Sequence, residues 1–244
     1  MVQFIEAAKN FWRPDRVDLY GNPRAMESKF RLRRFEGFLP IIEDICRCKG
    51  SCSVIDLGGT EYYWSMVYPR LKSLNLKILM INPDPPKVSH PDIFQYQNGD
   101  ATKLEEFADG TFDFVHSNSV IEHVGSWSNM QKFAHNVRRL APQYYVQTPN
   151  FWFPIEPHFR SVGFHWLPEQ VRYRKVARRA MGFFDQAKDV AAAVALVQSC
   201  ALIDARQMAE LFPDATLSQE KFMGLAKSLI ATRTVPPQAA KAQL

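Results

Sequence analysis

From residue 53 onward the chain carries four short apolar runs, each but the third halted by a breaker. Ser53-Val54-Ile55-Asp56-Leu57 stops at Gly58-Gly59, and Lys77-Ile78-Leu79-Met80-Ile81-Asn82 stops at Pro83. Phe112-Asp113-Phe114-Val115-His116-Ser117 and Tyr144-Tyr145-Val146-Gln147-Thr148 follow, the last ending at Pro149. Runs of this length, rich in β-branched and aromatic residues, predict strands. Between them, residues 126–141 place Met130, Phe133, Val137 and Leu140 at helical spacing and predict an amphipathic helix. Strands apolar along their whole length, alternating with helices, predict a parallel sheet covered on both faces, an α/β fold. Upstream, Phe30, Phe35, Phe38, Ile41, Ile42 and Ile45 share one helical face over 25–47, with Pro40 expected to interrupt it. Residues 1–37 are polar and rich in Arg and aromatics, with Pro14 and Pro23 as breakers. A late hairpin is expected from Ala215 to Thr232, turning near Gly224, and the tail from Thr234 is expected to fray.

Residues 150–185 break the alternation. Phe151, Trp152, Phe153, Phe159, Phe164 and Trp166 crowd together with Pro154, Pro157 and Pro168, and a basic helix is predicted over 169–181. An aromatic, proline-rich insertion after a sheet strand is where α/β enzymes build a substrate lid. The same segment can equally form a satellite core over the sheet, and the two roles are compatible.

Composition narrows the function classes. With 46% hydrophobic and 23% charged residues, the chain is neither disordered nor fibrous. No run of ~18 apolar residues predicts a membrane span, and no secretory leader is read at Met1-Val2-Gln3-Phe4, so a cytoplasmic protein is expected. A net charge of +5 suits an anionic partner without requiring nucleic acid. Four cysteines make no disulfide framework, and Cys46-Arg47-Cys48-Lys49-Gly50-Ser51-Cys52 lacks the usual zinc-ligand spacing, so no metal is expected.

The glycines ending the first strand admit close backbone approach to a ligand, at the edge of the sheet where α/β folds bind one. A dinucleotide fingerprint is absent. The run continues Thr60-Glu61-Tyr62-Tyr63, setting an acidic and two bulky residues where a pyrophosphate would sit. Asp56-x-Gly58-Gly59, then Asn98-Gly99-Asp100-Ala101 before an expected helix, then the run from Phe112 to Val124 together resemble the class I S-adenosylmethionine-dependent methyltransferases. Gln147-Thr148-Pro149-Asn150 and Lys227-Ser228-Leu229-Ile230-Ala231 extend the likeness to about residue 233.

That resemblance implies a Rossmann-like seven-stranded sheet, mostly parallel, with helices on both faces and a last antiparallel hairpin strand. It implies S-adenosylmethionine as cofactor and S-adenosylhomocysteine as product. Gly58 and Gly59 would meet the methionine moiety, with Asp56 orienting the loop and the amino group. Asn82 or Asp84 would hold the ribose, Asp100 and Ala101 the adenine, and Ser117 and Asn118 would stand beside the cofactor. The expected organisation is an N-terminal helical segment over the site (1–50), a core (51–150), a lid (151–185), completion of the sheet (186–233) and a tail (234–244).

For the acceptor, Glu156, His158 and His165 in the aromatic segment are the candidate catalytic groups, because a hydroxyl acceptor needs a base. His123 and Trp152 are candidate substrate contacts, while His116 and His135 are assigned to packing. The expected acceptor is a small or glycan-like molecule methylated on oxygen or nitrogen. An RNA or protein methyltransferase using the basic helix is the first alternative. A non-catalytic module that binds the cofactor and regulates a partner is the second.

Overall fold

The computed structural model describes residues 26–83 and 88–235. Expectations for residues 1–25, for Asp84 and for most of the tail fall outside the described residues. Seven strands form one sheet in the order β3-β2-β1-β4-β5-β9-β8, and β6 and β7 make a separate two-stranded hairpin. The first five sheet strands are β1 (Cys52–Leu57), β2 (Leu76–Asn82), β3 (Phe94–Asn98), β4 (Phe114–Asn118) and β5 (Gln143–Pro149), all parallel. β8 (Thr216–Phe222) and β9 (Leu225–Arg233) complete it, with β9 antiparallel to both of its neighbours. This is the expected Rossmann-like sheet with its closing hairpin. Met223 and Gly224 form the two-residue turn, with φ of +49° and +83°, the primed geometry that matches strand twist.

The sequence pattern explains most elements. The β1 run is buried at every position but Ser53, as a central parallel strand must be. Helix α4 (Trp127–Leu140) buries Met130, Phe133, Val137 and Leu140 against one sheet face. Ser126 caps it by accepting from the Asn129 amide. Short helices α2 (Glu61–Ser65) and α3 (Tyr68–Leu71) follow β1 on the other face.

Three local expectations fail. Helix α1 runs unbroken from Met26 to Lys49 through Pro40. Pro40 lies on the solvent side, where water can satisfy the carbonyl that the missing N–H abandons. No helix follows Asp100; residues 101–107 are turns, because Asp100 spends its carboxylate on the Thr102 amide and hydroxyl. β3, whose polar Gln-Tyr-Gln centre hid it from the apolar pattern, pairs with β2 at the sheet edge.

Helix α1 is part of the main body, since Phe35, Phe38, Leu39 and Ile42 are wholly buried against β1, β2 and β4. Each such side chain contributes about 1.5–3 kcal/mol. A buried ion pair fixes its register: Arg34 donates through Nη2 to Glu220 on β8 at 2.7 Å and through Nη1 to Asn118 on β4 at 2.9 Å. The aromatic segment forms its own core. β6 (Ile155–Glu156), β7 (Ser161–Val162), α5 (Glu169–Arg178) and α6 (Val190–Gln198) gather around Phe159, Phe164, Val176, Phe184 and Val197. That core runs on to Cys200, because the Ala/Val face of α6 packs on α5. Only α7 (Ala205–Leu211) and the hairpin then return to the sheet.

Candidate active site

The carboxyl ends of β1, β2, β4 and β5 converge on one edge of the sheet, and the glycine turn is the best-defined feature there. Gly58 takes φ +75°, and a Cβ on it would come within 2.5 Å of Val120. A Cβ on Gly59 would lie 1.7 Å from Asp56 Oδ2. Both glycines are therefore required sterically. The Gly58 amide donates to the Ile81 carbonyl at 2.9 Å, and Asn82 Nδ2 donates to the Gly59 carbonyl. The turn is clamped between the ends of β1 and β2, with backbone and no side chain presented where a ligand would approach.

Asp56 lies beneath the turn. Its carboxylate is fully buried, accepting from Trp64 Nε1 at 2.6 Å and lying 2.8 Å from His116 Nδ1. Both oxygens have partners inside the protein, so Asp56 shapes the turn from beneath. Ser117 is wholly buried, and its hydroxyl donates to the Leu57 carbonyl at 2.9 Å. Asn118 stays partly open at the tip of β4, its Oδ1 held by Arg34. Asp100 is half exposed, with Oδ1 engaged by Thr102 and Oδ2 only loosely faced by Lys103 at 3.8 Å. Ala101 follows, half-buried. Thr60 caps α2, and Glu61 beside it accepts the amides of Ser89 and His90 at 2.7 and 2.9 Å. That carboxylate occupies the helix start a phosphate would need, in agreement with the missing dinucleotide fingerprint.

The candidate catalytic groups separate into two places. His158 and Glu156 are buried in the satellite core, Nδ1 to Oε1 at 2.7 Å, and Glu156 also accepts the Phe159 amide at 2.5 Å. Burial alone would lower the His158 pKa, but Cys200 and Glu156 hold it well above an ordinary imidazole. With His158 buried and its Nδ1 engaged by Glu156, His165 is the candidate carried forward as the base. His165 is different. It is half-buried, Nε2 lies 2.7 Å from the Phe151 carbonyl, and its buried Nδ1 has no partner. The carbonyl fixes the proton on Nε2 and leaves the lone pair on Nδ1. Burial lowers its pKa, with Arg172 adding to the effect. It sits among Phe151, Trp166 and Trp152, with Trp152 64% exposed just beyond β5.

His123, expected to face substrate, turns to the satellite core, with Nδ1 2.9 Å from the Ser199 carbonyl and 3.7 Å from Cys200 Sγ. Sequence reasoning passed over Glu122 and Cys200 beside it. Glu122 is fully buried, accepts from Thr148 Oγ1 at 2.9 Å, and leaves Oε1 without a hydrogen-bond partner, 4.0 Å from His158 Nε2. His116, assigned to packing, is buried between Tyr63 and Tyr145 and Phe38.

Residues 68–143, just under a third of the chain, match the family model described as a methyltransferase domain. The match begins after β1, so the glycine turn lies outside it. A comparison with curated proteins found no match. Among solved structures, 1,6-didemethyltoxoflavin-N1-methyltransferase of Burkholderia thailandensis aligns at a TM-score of 0.46 and 10% identity, over 80% of this chain and 76% of that one. An O-methyltransferase family protein of the same organism aligns at 0.48 and 10% identity, over 95% and 71%. TM-scores below 0.5 add no weight to the assignment, which rests on the domain match, the strand order and the glycine-ended first strand. On those grounds the chain contains a methyltransferase domain, matched over residues 68–143, within a sheet of Rossmann-like strand order.

Proposed function

We propose that this chain transfers a methyl group from S-adenosylmethionine to an oxygen or nitrogen of a small, ring-bearing or glycan-like acceptor. The observation that carries the reading is the clamped glycine turn at the strand ends, where Gly58 and Gly59 leave room only for backbone. That turn suits a ligand pressed flat against the sheet edge. Asn82, held on the Gly59 carbonyl, stands where a ribose would be gripped, and Asp100 Oδ2 with the Ala101 amide suits an adenine edge. The cofactor supplies an activated methyl on a sulfonium, so the protein's task is alignment and exclusion of water.

The acceptor side is built by the chain leaving β5. Phe151, Trp152, His165 and Trp166 offer an aromatic surface to a flat ring or a sugar face. His165, neutral with its lone pair on Nδ1, is the group suited to take an acceptor hydroxyl proton as the methyl arrives. The exposed Arg174, Lys175 and Arg178 on α5 keep RNA as the rival acceptor. The test is transfer of labelled methyl groups, with cell extract fractionated by size. Label in a low-molecular-weight fraction is the expected outcome, and label in RNA or protein overturns the acceptor assignment.

A further inference from the structure

His123, His158 and Cys200 come from three separate stretches: the turn of 3₁₀-helix Ile121–His123 after β4, the loop after β6, and the end of α6. One donor atom from each lies within 4.8 Å of the other two. We propose that these residues, with Glu122, bind a zinc ion that fastens the satellite core to the strand tips. No feature of the methyl-transfer chemistry calls for this site, and its test does not depend on that activity.

Geometry is the first argument. Cys200 Sγ and His123 Nδ1 are 3.7 Å apart, and the proton through which Nδ1 faces the Ser199 carbonyl at 2.9 Å would be released as a metal binds. Two ligands of one tetrahedral zinc, at bond lengths of ~2.3 Å to sulfur and ~2.0–2.1 Å to nitrogen, stand about 3.6 Å apart. His158 presents Nε2 to the cluster, because its Nδ1 is engaged by Glu156. A carboxylate on the far nitrogen is how ligating histidines are aimed and made more basic. The backbone is locked as well. A Cβ on Gly182 would lie 2.1 Å from the His158 carbonyl, which also accepts the Phe183 amide at 2.9 Å. The Ala201 amide donates to the Glu122 carbonyl at 2.8 Å, holding Cys200 beside His123.

The fourth donor is the second argument. Glu122 Oε1 is fully buried, has no hydrogen-bond partner, and lies 4.0 Å from His158 Nε2. A buried carboxylate oxygen without a partner is costly unless a cation or proton faces it. A divalent ion would satisfy it, and with one thiolate and one carboxylate the buried group has no net charge. Two imidazoles, a thiolate and a carboxylate select zinc among common metals, and the depth of the site suits a closed structural ion.

Cobalt(II) added to the purified, metal-stripped chain tests the site directly. The expected result is about one ion per chain, with the visible bands of tetrahedral cobalt and a sulfur-to-metal charge-transfer band. Cys200→Ser should abolish the sulfur band while the far-ultraviolet circular dichroism is kept. In C46S/C48S/C52S, Cys200 is the sole thiol, and the band should persist; this variant decides the matter if Cys200→Ser does not fold. Glu156→Gln should weaken cobalt binding by ~10–100-fold through the orienting contact on His158. No cobalt uptake, a sulfur band that survives Cys200→Ser, or one lost in C46S/C48S/C52S overturns the proposal.

Discussion

Asp56 and Trp64 are joined by a 2.6 Å hydrogen bond inside the protein, Trp64 Nε1 donating to Oδ2, and neither side chain has any exposed surface. The acidic residue of the first motif is thus a structural strut under the glycine turn. Asp56→Asn keeps its shape and its acceptor for Trp64. We expect S-adenosylhomocysteine affinity within about tenfold of wild type by calorimetry, a change of at most ~1.4 kcal/mol. Loss of all binding in that variant would mean the carboxylate contacts the ligand after all.

The ion pair between Arg34 and Glu220 is the anchor of α1. Removing one partner leaves a buried charge, so Glu220→Ala should cost about 3–5 kcal/mol in chemical denaturation. Burial works to raise the Glu220 pKa, but hydrogen bonding and charge from Arg34, with Lys227, win and lower it. The sign follows: this stability is complete above the unfolded glutamate pKa of about 4.3 and is lost as pH falls through the lower folded value. A wild-type chain whose acid unfolding midpoint matches that of Glu220→Gln would contradict this.

His165 and His158 should behave differently when replaced. His165→Ala should cut turnover by about 10²–10⁴-fold with cofactor affinity unchanged. Because the His165 pKa is lowered, the active neutral form should dominate at pH 7, and the rate should fall only below the usual imidazole range. His158→Ala should act through stability of the satellite core instead, seen as a lower melting temperature. A larger loss of kcat for His158→Ala in folded protein would reverse the assignment.

Asp100→Ala should weaken S-adenosylhomocysteine binding by about 1–3 kcal/mol, the worth of a hydrogen bond to a charged group. Its bonds to Thr102 are lost too, so a drop in melting temperature should accompany it. Unchanged affinity would remove Asp100 from the adenine edge.

The strands and α4 were legible because fully buried parallel strands and a one-sided helix leave strong periodic signals. β3 was not, since an edge strand with Gln95 and Gln97 in it has no such pattern. Pro40 misled because a proline on the solvent face of a long, well-packed helix does not break it. At the site, the glycines could be read from sequence because their need is local, whereas the internal partners of Asp56 and Ser117 are residues distant in the chain. The cluster of His123, His158 and Cys200 was invisible for the same reason: no spacing rule joins three segments that only folding brings together.

The central claim is that the clamped glycine turn seats S-adenosylmethionine. Calorimetric titration of wild type and Gly59→Ala with S-adenosylhomocysteine, and of wild type with NAD, tests it most directly. A Cβ at residue 59 would collide with Asp56 Oδ2, so the account predicts binding by wild type, none by Gly59→Ala in still-folded protein, and no heat from NAD. Equal binding by the two proteins, or NAD binding as tight as S-adenosylhomocysteine, would contradict it.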